Sequence, residues 1–269
     1  MRHFLRCVLA SALAACQGAP ADDVVEVGPT DPTLEGKADL VDGNVEIKIT
    51  FQPDEIDAAT ARFKLKDGSA TRREVYFFDT PELTWSDGGL ILRARKTFDG
   101  PDDSTVKLRP MTAAEIDPGW LDLEGFKCEE DRGGDGAVTS CSLTVAQDQG
   151  EVDAVALGER AVEKLFSTEQ EDYAAVEFGF SDWATLAPLG PIAARVWKVR
   201  VRSLAPRLTF ERWTLPDDTR LLEVSAREPA EDANATQDDL RAYLEERGFD
   251  ASSQGETKTR AALDYFAGR

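Results

Sequence analysis

The chain has 269 residues, of which 42% are hydrophobic and 8% aromatic, so it can bury a core, and its length is compatible with one large or two small domains. It carries 31 Lys and Arg against 51 Asp and Glu, and the net charge of −20 argues against a general nucleic-acid binder because it repels phosphate at long range. The one histidine, His3, lies in a segment that we predict to be removed, which excludes Ser/His/Asp and Cys/His mechanisms and imidazole zinc sites.

The N-terminus has the pattern of a bacterial lipoprotein signal peptide. Residues 1–15 combine Arg2 and Arg6 with a short apolar run, and a Leu-Ala-Ala-Cys box ends at Cys16. The run is too short to cross a hydrocarbon core of about 30 Å, so we expect processing and lipidation at Cys16. The predicted location is the bacterial cell envelope, with a membrane contact through this lipid only. The residue after Cys16 is Gln17, whereas an Asp at this position would favour retention in the inner membrane. Gln17 therefore favours the outer membrane.

Residues 16–42 predict a flexible tether that follows the lipidated cysteine. They are rich in Ala, Pro, Gly and Asp and lack a sustained hydrophobic period. Such a segment can hold a domain away from a membrane without a fold of its own. The folded domain is therefore predicted to span residues 43–269.

Apolar and polar residues alternate through much of this domain, which predicts β-strands with two different faces. Such strands are predicted at 44–49, 72–80, 90–96, 104–109, 196–203, 208–215 and 220–227. Helical patterns occupy roughly 155–166, 236–247 and 257–267. The expected fold class is α+β, with helices flanking a sheet.

Two further strand-like stretches carry the remaining cysteines. Cys128 and Cys141 flank a glycine-rich turn that includes Gly133 and Gly136. In an oxidising compartment this arrangement favours a disulfide across a hairpin, worth about 3 kcal/mol by the chain-entropy estimate. The alternative is a pair of free thiols.

Basic residues occur in alternating registers on several of the predicted strands, although the chain is strongly acidic. One interpretation is an ordinary sandwich that exposes each Lys and Arg to solvent. The other closes the strands into a barrel with a cationic interior, which needs a polyanion to be useful.

Five motifs, taken together, resemble the CYTH, or triphosphate tunnel metalloenzyme, superfamily over about residues 43–227. They are Asn44-x-Glu46-x-Lys48, Tyr76-Phe77-Phe78-Asp79-Thr80-Pro81, Gly88-Gly89-Leu90-Ile91-Leu92-Arg93-Ala94-Arg95, Val106-Lys107-Leu108-Arg109 and Leu222-Glu223-Val224-Ser225. The resemblance implies a closed antiparallel tunnel of eight strands, open at both ends. In that family cations hold a triphosphate or polyphosphate while glutamates hold a divalent metal.

The resemblance also implies roles for individual residues. Glu46 and Lys48 would be catalytic, and Glu46, Glu223 and Glu211 would hold Mg²⁺ or Mn²⁺. Arg93, Arg95, Lys107 and Arg109, at positions that match the family, would bind the substrate. Arg200, Arg202 and Arg212 are further candidate substrate-binding residues on the later strands.

This chain departs from the family pattern at two carboxylate positions. Asn44 and Ser225 stand where the family has glutamates, and each change removes one negative charge. We therefore expect metal binding to be weaker or absent. An alternative role for Glu46 and Glu223 is ion pairing with tunnel arginines.

Three functions remain open from the sequence. The first is metal-assisted hydrolysis of an inorganic triphosphate, a polyphosphate or an organic phosphate, and the second is polyanion binding without turnover by an envelope lipoprotein. The third is an unrelated envelope barrel that carries lipid in an apolar interior. No nucleic-acid partner is expected.

Overall fold

The structure is a computed structural model that describes residues 23–30, 44–133, 136–252 and 257–269. The predicted signal peptide, Cys16 and most of the predicted tether lie outside the described residues. None of the described helices is long and apolar enough to span a membrane.

The described residues form ten strands and six α-helices. The strands are β1 (Val24–Gly28), β2 (Asn44–Thr50), β3 (Thr71–Asp79), β4 (Leu90–Thr97), β5 (Asp102–Leu108), β6 (Phe126–Gly133), β7 (Gly136–Gln147), β8 (Ala187–Val201), β9 (Leu208–Thr214) and β10 (Arg220–Pro229). The helices are α1 (Ile56–Arg62), α2 (Thr84–Asp87), α3 (Glu151–Ala156), α4 (Thr168–Phe178), α5 (Ala233–Glu245) and α6 (Lys258–Ala267).

Nine of these strands close into a barrel. Their order is β8-β3-β4-β5-β7-β6-β2-β10-β9, and β9 pairs back with β8. The predicted α+β barrel with flanking helices is therefore confirmed. The expectation of eight antiparallel strands is corrected to nine, with β2 parallel to β6. An odd number of strands cannot alternate in direction around a closed ring, so a parallel neighbour is required.

Apolar side chains on the outer face of the barrel pack under helices on two sides. Val45, Ile47 and Ile49 of β2 belong to a core that also contains residues of α1 and α5. Across the barrel, β4 and β7 share a second core with α3 and α4. Because the outer faces are covered in this way, the alternate residues of the same strands point into the barrel.

A third apolar cluster closes one end of the barrel interior. Phe77 of β3, Ala194 of β8 and Trp213 of β9 pack there against Ala262 and Leu263 of α6. Next to this contact, Arg260 of α6 pairs with Asp87 at 2.6 Å. The implied tunnel open at both ends is corrected here, because α6 covers the end beside the β3–β4 connection.

The range predicted as a tether contains an ordered strand. β1 pairs antiparallel with β8 and so extends the sheet outside the ring. Asp23 accepts a hydrogen bond from the Tyr243 hydroxyl at 3.0 Å and pairs with Arg247 at 3.1 Å. Residues 23–30 are therefore held against β8 and α5 by backbone pairing and charge, which composition alone did not reveal.

The predicted disulfide between Cys128 and Cys141 is confirmed. The two residues are cross-strand partners on β6 and β7, and their Cα atoms are 4.0 Å apart. It covalently links two neighbouring strands of the barrel.

Candidate tunnel site

The barrel interior is lined by the polar residues of the alternating strands. Glu46 and Lys48 point inward because Val45, Ile47 and Ile49 occupy the opposite, core-facing side of β2. The same alternation directs Arg93 and Arg95 of β4 inward, while Leu92 and Ala94 face the outer core. One continuous surface therefore carries charges of both signs.

Three inward carboxylates form what we call the acidic cluster, made of Glu46, Glu129 and Asp131. One oxygen from each lies within 4.8 Å of the others. The parallel pairing of β2 and β6 places Glu46 directly opposite Asp131. Sequence reasoning found Glu46 but missed Glu129 and Asp131, although Lys127-x-Glu129-x-Asp131 shows the alternation used for the other strands.

Asp131 is the most heavily paired member of the acidic cluster. Its carboxylate lies 2.7 Å from Lys48, 3.0 Å from Lys107 and 3.1 Å from Arg109, and only 2% of its side chain is exposed. Burial by itself raises the pKa of this carboxyl, but Lys48 and Lys107 outweigh it and lower the pKa to about 2. Asp131 is thus ionised at neutral pH and joins three cations: Lys48 of β2, Lys107 of β5 and Arg109 directly after β5.

The other two members also have cationic neighbours. Glu46 lies 2.9 Å from Lys48 and 3.6 Å from Arg227, and Glu129 lies 2.9 Å from Lys127. Burial opposes ionisation of Glu46, yet Arg227 and Lys48 hold its pKa well below the usual range. Lys127 and Arg227 are further interior cations that sequence reasoning missed.

Arginines line a neighbouring part of the interior. Arg95 donates from its Nε to both oxygens of Asp103, at 3.0 and 2.9 Å. Arg93 donates to the Thr105 hydroxyl at 3.4 Å and has no ion-pair partner within the described part of the chain. Burial and the neighbouring Arg95 lower the pKa of Arg93 to about 10, which still leaves it cationic at neutral pH.

A second pair of carboxylates lies apart from the acidic cluster. Glu211 of β9 and Glu223 of β10 are direct cross-strand partners, and Lys258 of α6 pairs with both. Burial opposes ionisation of Glu211, but Lys258 and a 2.7 Å hydrogen bond from the Trp213 indole lower its pKa to about 2. The structure therefore does not bring the predicted ligands Glu211 and Glu223 together with Glu46.

Three of the predicted substrate-binding residues lie outside the interior group. Arg212 is on the opposite face of β9 from Glu211, pairs with Asp67 at 2.7 Å and stacks over Trp197. Arg200 is exposed and donates to the Ala205 carbonyl, and Arg202 lies exposed beyond the end of β8. Arg212 points outward because neighbouring residues of a strand face opposite ways and Glu211 points inward. Arg200 and Arg202 lie outside the barrel interior because the pairing of β8 with β9 ends at Val199, before either residue.

Comparison with known proteins rests on structure alone. No protein-family model matches the chain, and a search of curated proteins finds no match. A candidate adenylate cyclase from Bacillus halodurans superposes with a TM-score of 0.57 at 12% identity, covering 82% of this chain and 97% of that one. A candidate adenylyl cyclase from Hippeastrum, in which a triphosphatase activity is dominant, gives 0.59 at 14% identity, covering 82% and 96%.

The chain has the CYTH, or triphosphate tunnel, fold. This conclusion follows from the closed barrel and from alignments that cover nearly the whole of both solved structures. The barrel interior is hereafter called the tunnel. At these identities the likeness establishes the fold, while the chemistry has to be argued from the residues of this chain.

The donor set of the acidic cluster fits a hard divalent cation. Mg²⁺ and Mn²⁺ prefer carboxylate oxygens, and three such groups converge within 4.8 Å. Around them, Lys48, Lys107 and Arg109 supply the cationic donors that bind phosphate oxygens. The arrangement is compatible with a divalent metal ion beside a group of cationic side chains.

Proposed function

We propose that the protein binds a triphosphate or short polyphosphate in its tunnel and hydrolyses a phosphoanhydride bond with the help of Mg²⁺ or Mn²⁺. The observation that carries the proposal is the convergence of Lys48, Lys107 and Arg109 on Asp131, inside the acidic cluster. Phosphoryl transfer is typically catalysed by cationic side chains that bind the phosphate oxygens and by carboxylates that hold a metal ion beside them. The triphosphatase activity of the Hippeastrum protein of the same fold agrees with this proposal.

Glu46, Glu129 and Asp131 would hold the metal ion, which supplies charge neutralisation and polarisation at the reacting phosphoryl group. Lys48, Lys107 and Arg109 bind phosphate oxygens in exchange for their contacts with carboxylates. Arg93 adds a guanidinium whose charge no carboxylate of the described chain neutralises by direct contact. These residues hold the phosphate chain in one orientation and stabilise negative charge as it develops.

A second function, polyanion binding without turnover, has specific support. Each carboxylate of the acidic cluster already has a cationic partner within 3.0 Å, and a metal ion must compete with these pairs. Asn44 and Ser225 remove two carboxylates that the family pattern has. The third possibility, a lipid-carrying barrel, loses support because a tunnel containing Arg93, Arg95 and Lys107 is not an apolar cavity.

We also propose that the domain is anchored to the cell envelope through a lipid on Cys16, on the strength of the signal-peptide pattern alone. Labelling cells with a fatty-acid analogue tests this. Label on the wild-type protein and its loss in Cys16→Ser would support the anchor, whereas equal labelling of both would contradict it.

Phosphate release from inorganic triphosphate is the test of the function. The purified protein is assayed with Mg²⁺, with Mn²⁺ and with a chelator, beside Glu46→Gln. Metal-dependent release that is lost in Glu46→Gln supports the hydrolase. No release, together with a triphosphate-induced rise in Tm, would replace it by the binding function.

A further inference from the structure

Lys258 places a fixed positive charge inside the tunnel. It is the first residue of α6, and only 5% of it is exposed. Its ammonium group hydrogen-bonds to Glu211 and lies 3.3 Å from Glu223. The group also lies 4.6 Å from the centre of the Trp213 ring, a cation–π contact that adds to its attraction for this position.

The carboxylates that Lys258 joins need a cation. Glu211 and Glu223 face each other across β9 and β10, with side chains that are 24% and 11% exposed. Two carboxylates that share a largely buried site repel each other, and a cation between them offsets this repulsion. An ammonium group with three donors satisfies both.

The position of Lys258 is fixed by the packing of its helix. Ala262 and Leu263 of α6 are buried in the apolar cluster at the tunnel end, and Arg260 pairs with Asp87 on the β3–β4 connection. Because the lysine is tethered at its site, it competes with dissolved cations at a high effective concentration. It also avoids the cost of dehydrating Mg²⁺, which gives up its water reluctantly.

We propose that Lys258 is a built-in counter-ion that takes the place of a divalent metal at Glu211 and Glu223, so that the tunnel binds metal at the acidic cluster alone. The inference rests on the proposed function, because it assigns metal to the acidic cluster. Lys258 is a positioning residue here. It balances the charge of two glutamates beside the phosphate-binding cations, since Glu223 contributes to the field at Lys48 and Glu211 to that at Arg93.

Counting bound Mn²⁺ tests the inference directly. Free Mn²⁺ is measured by electron paramagnetic resonance during titration of the wild type, Lys258→Met and Lys258→Arg, all in 150 mM salt. The three proteins have the same acidic surface residues, so a difference in the number of bound Mn²⁺ ions arises from the tunnel. We expect Lys258→Met to bind one more Mn²⁺ than the wild type, and Lys258→Arg to match the wild type.

A second substitution locates the additional ion. Adding Glu211→Gln to Lys258→Met should return the count to the wild-type value, because one of the two carboxylates is then neutral. If circular dichroism shows that Lys258→Met does not fold, Lys258→Gln, which keeps a hydrogen-bonding side chain, is used in its place. Equal counts for the wild type and the folded neutral variant, or an added ion that persists with Glu211→Gln, would overturn the inference.

The same titration separates this inference from the proposed function. If the wild type and Glu46→Gln bind equal numbers of Mn²⁺, the acidic cluster is not a metal site and the metal-assisted hydrolysis fails. An added ion in Lys258→Met would still show that Lys258 occupies a cation site. If Glu46→Gln loses one ion while Lys258→Met gains none, the proposed function stands and the role of Lys258 is refuted.

Discussion

Glu46 and Asp131 lie opposite each other on β2 and β6, the parallel strand pair of the described barrel. Their carboxylates share Lys48, which is 2.9 Å from Glu46 and 2.7 Å from Asp131. A ring of nine strands requires a parallel pair, and here that pair brings together acidic residues 85 positions apart in the sequence. The topology of the barrel thus assembles the acidic cluster.

Replacing Asp131 should make the tunnel depend on an added anion for its stability. Asp131→Asn leaves Lys48, Lys107 and Arg109 without their shared carboxylate, and breaking a buried ion pair typically costs about 3–5 kcal/mol. We expect a lower Tm than in the wild type, and a larger rise in Tm on adding triphosphate. Differential scanning fluorimetry with and without triphosphate measures both.

Asp57→Asn is the control for this substitution, since Asp57 pairs with Arg220 on the surface, where ion pairs contribute little. It should behave like the wild type. A triphosphate response of Asp131→Asn no larger than that of the wild type would refute the exchange of carboxylate for phosphate.

Arg93 and Arg212 form a matched pair for testing which face binds the anion. Arg93 points into the tunnel, whereas Arg212 pairs with Asp67 on the outside. Because a hydrogen bond to a charged group is worth about 1.5–3 kcal/mol, Arg93→Gln should weaken triphosphate binding by roughly 10- to 100-fold. Arg212→Gln should leave it unchanged. Isothermal titration calorimetry gives both Kd values, and an equal loss in the two variants would argue against the tunnel as the binding site.

Much of the tunnel was predictable from local patterns. The alternation in β2, β4 and β5 placed Lys48, Arg93 and Lys107 on one face before the fold was known. The same rule could have excluded Arg212 from the tunnel. It is adjacent to Glu211, and neighbouring residues of a strand face opposite ways.

The remaining features depend on contacts between distant parts of the chain. The alternation in β6 could have placed Glu129 and Asp131 on an inward face, but no short-range pattern shows that β6 pairs with β2 and so brings these residues to Glu46. Lys258 reaches Glu211 only because α6 packs across the end of the barrel. Helix α4 was also missed, although Ser167 and Gln170 form a capping box at its start.

Acid should destabilise the fold over the pH range in which the ion-paired carboxylates take up protons. The pKa of Glu211 is about 2 in the folded protein, against 4.5 for an ordinary glutamate. A lowered pKa contributes stability that is present above the ordinary value and is lost as the pH falls towards 2. Between pH 4.5 and pH 2, Glu211→Gln should therefore lose less stability than the wild type. Urea denaturation at several pH values measures the slope, and parallel slopes would contradict the assignment.

The disulfide should contribute measurably to stability. Cys128 and Cys141 are separated by 13 positions, and closing a loop of this size stabilises a protein by about 3 kcal/mol in the chain-entropy estimate. We expect the Cys128→Ser/Cys141→Ser double variant to unfold at lower urea concentration than the oxidised wild type. The reduced wild type should approach the variant. Coincident unfolding curves for the oxidised and reduced wild type would show that the link is energetically neutral.

The most direct measurement of the central claim is metal-dependent phosphate release from triphosphate by the wild type and by Glu129→Gln. Glu129 belongs to the acidic cluster. The control is Glu228→Gln, because Glu228 is an acidic residue outside that cluster. The account predicts Mg²⁺- or Mn²⁺-dependent release by the wild type and Glu228→Gln, and at least a tenfold loss in Glu129→Gln. Release that is independent of metal, or equal in all three proteins, would contradict it.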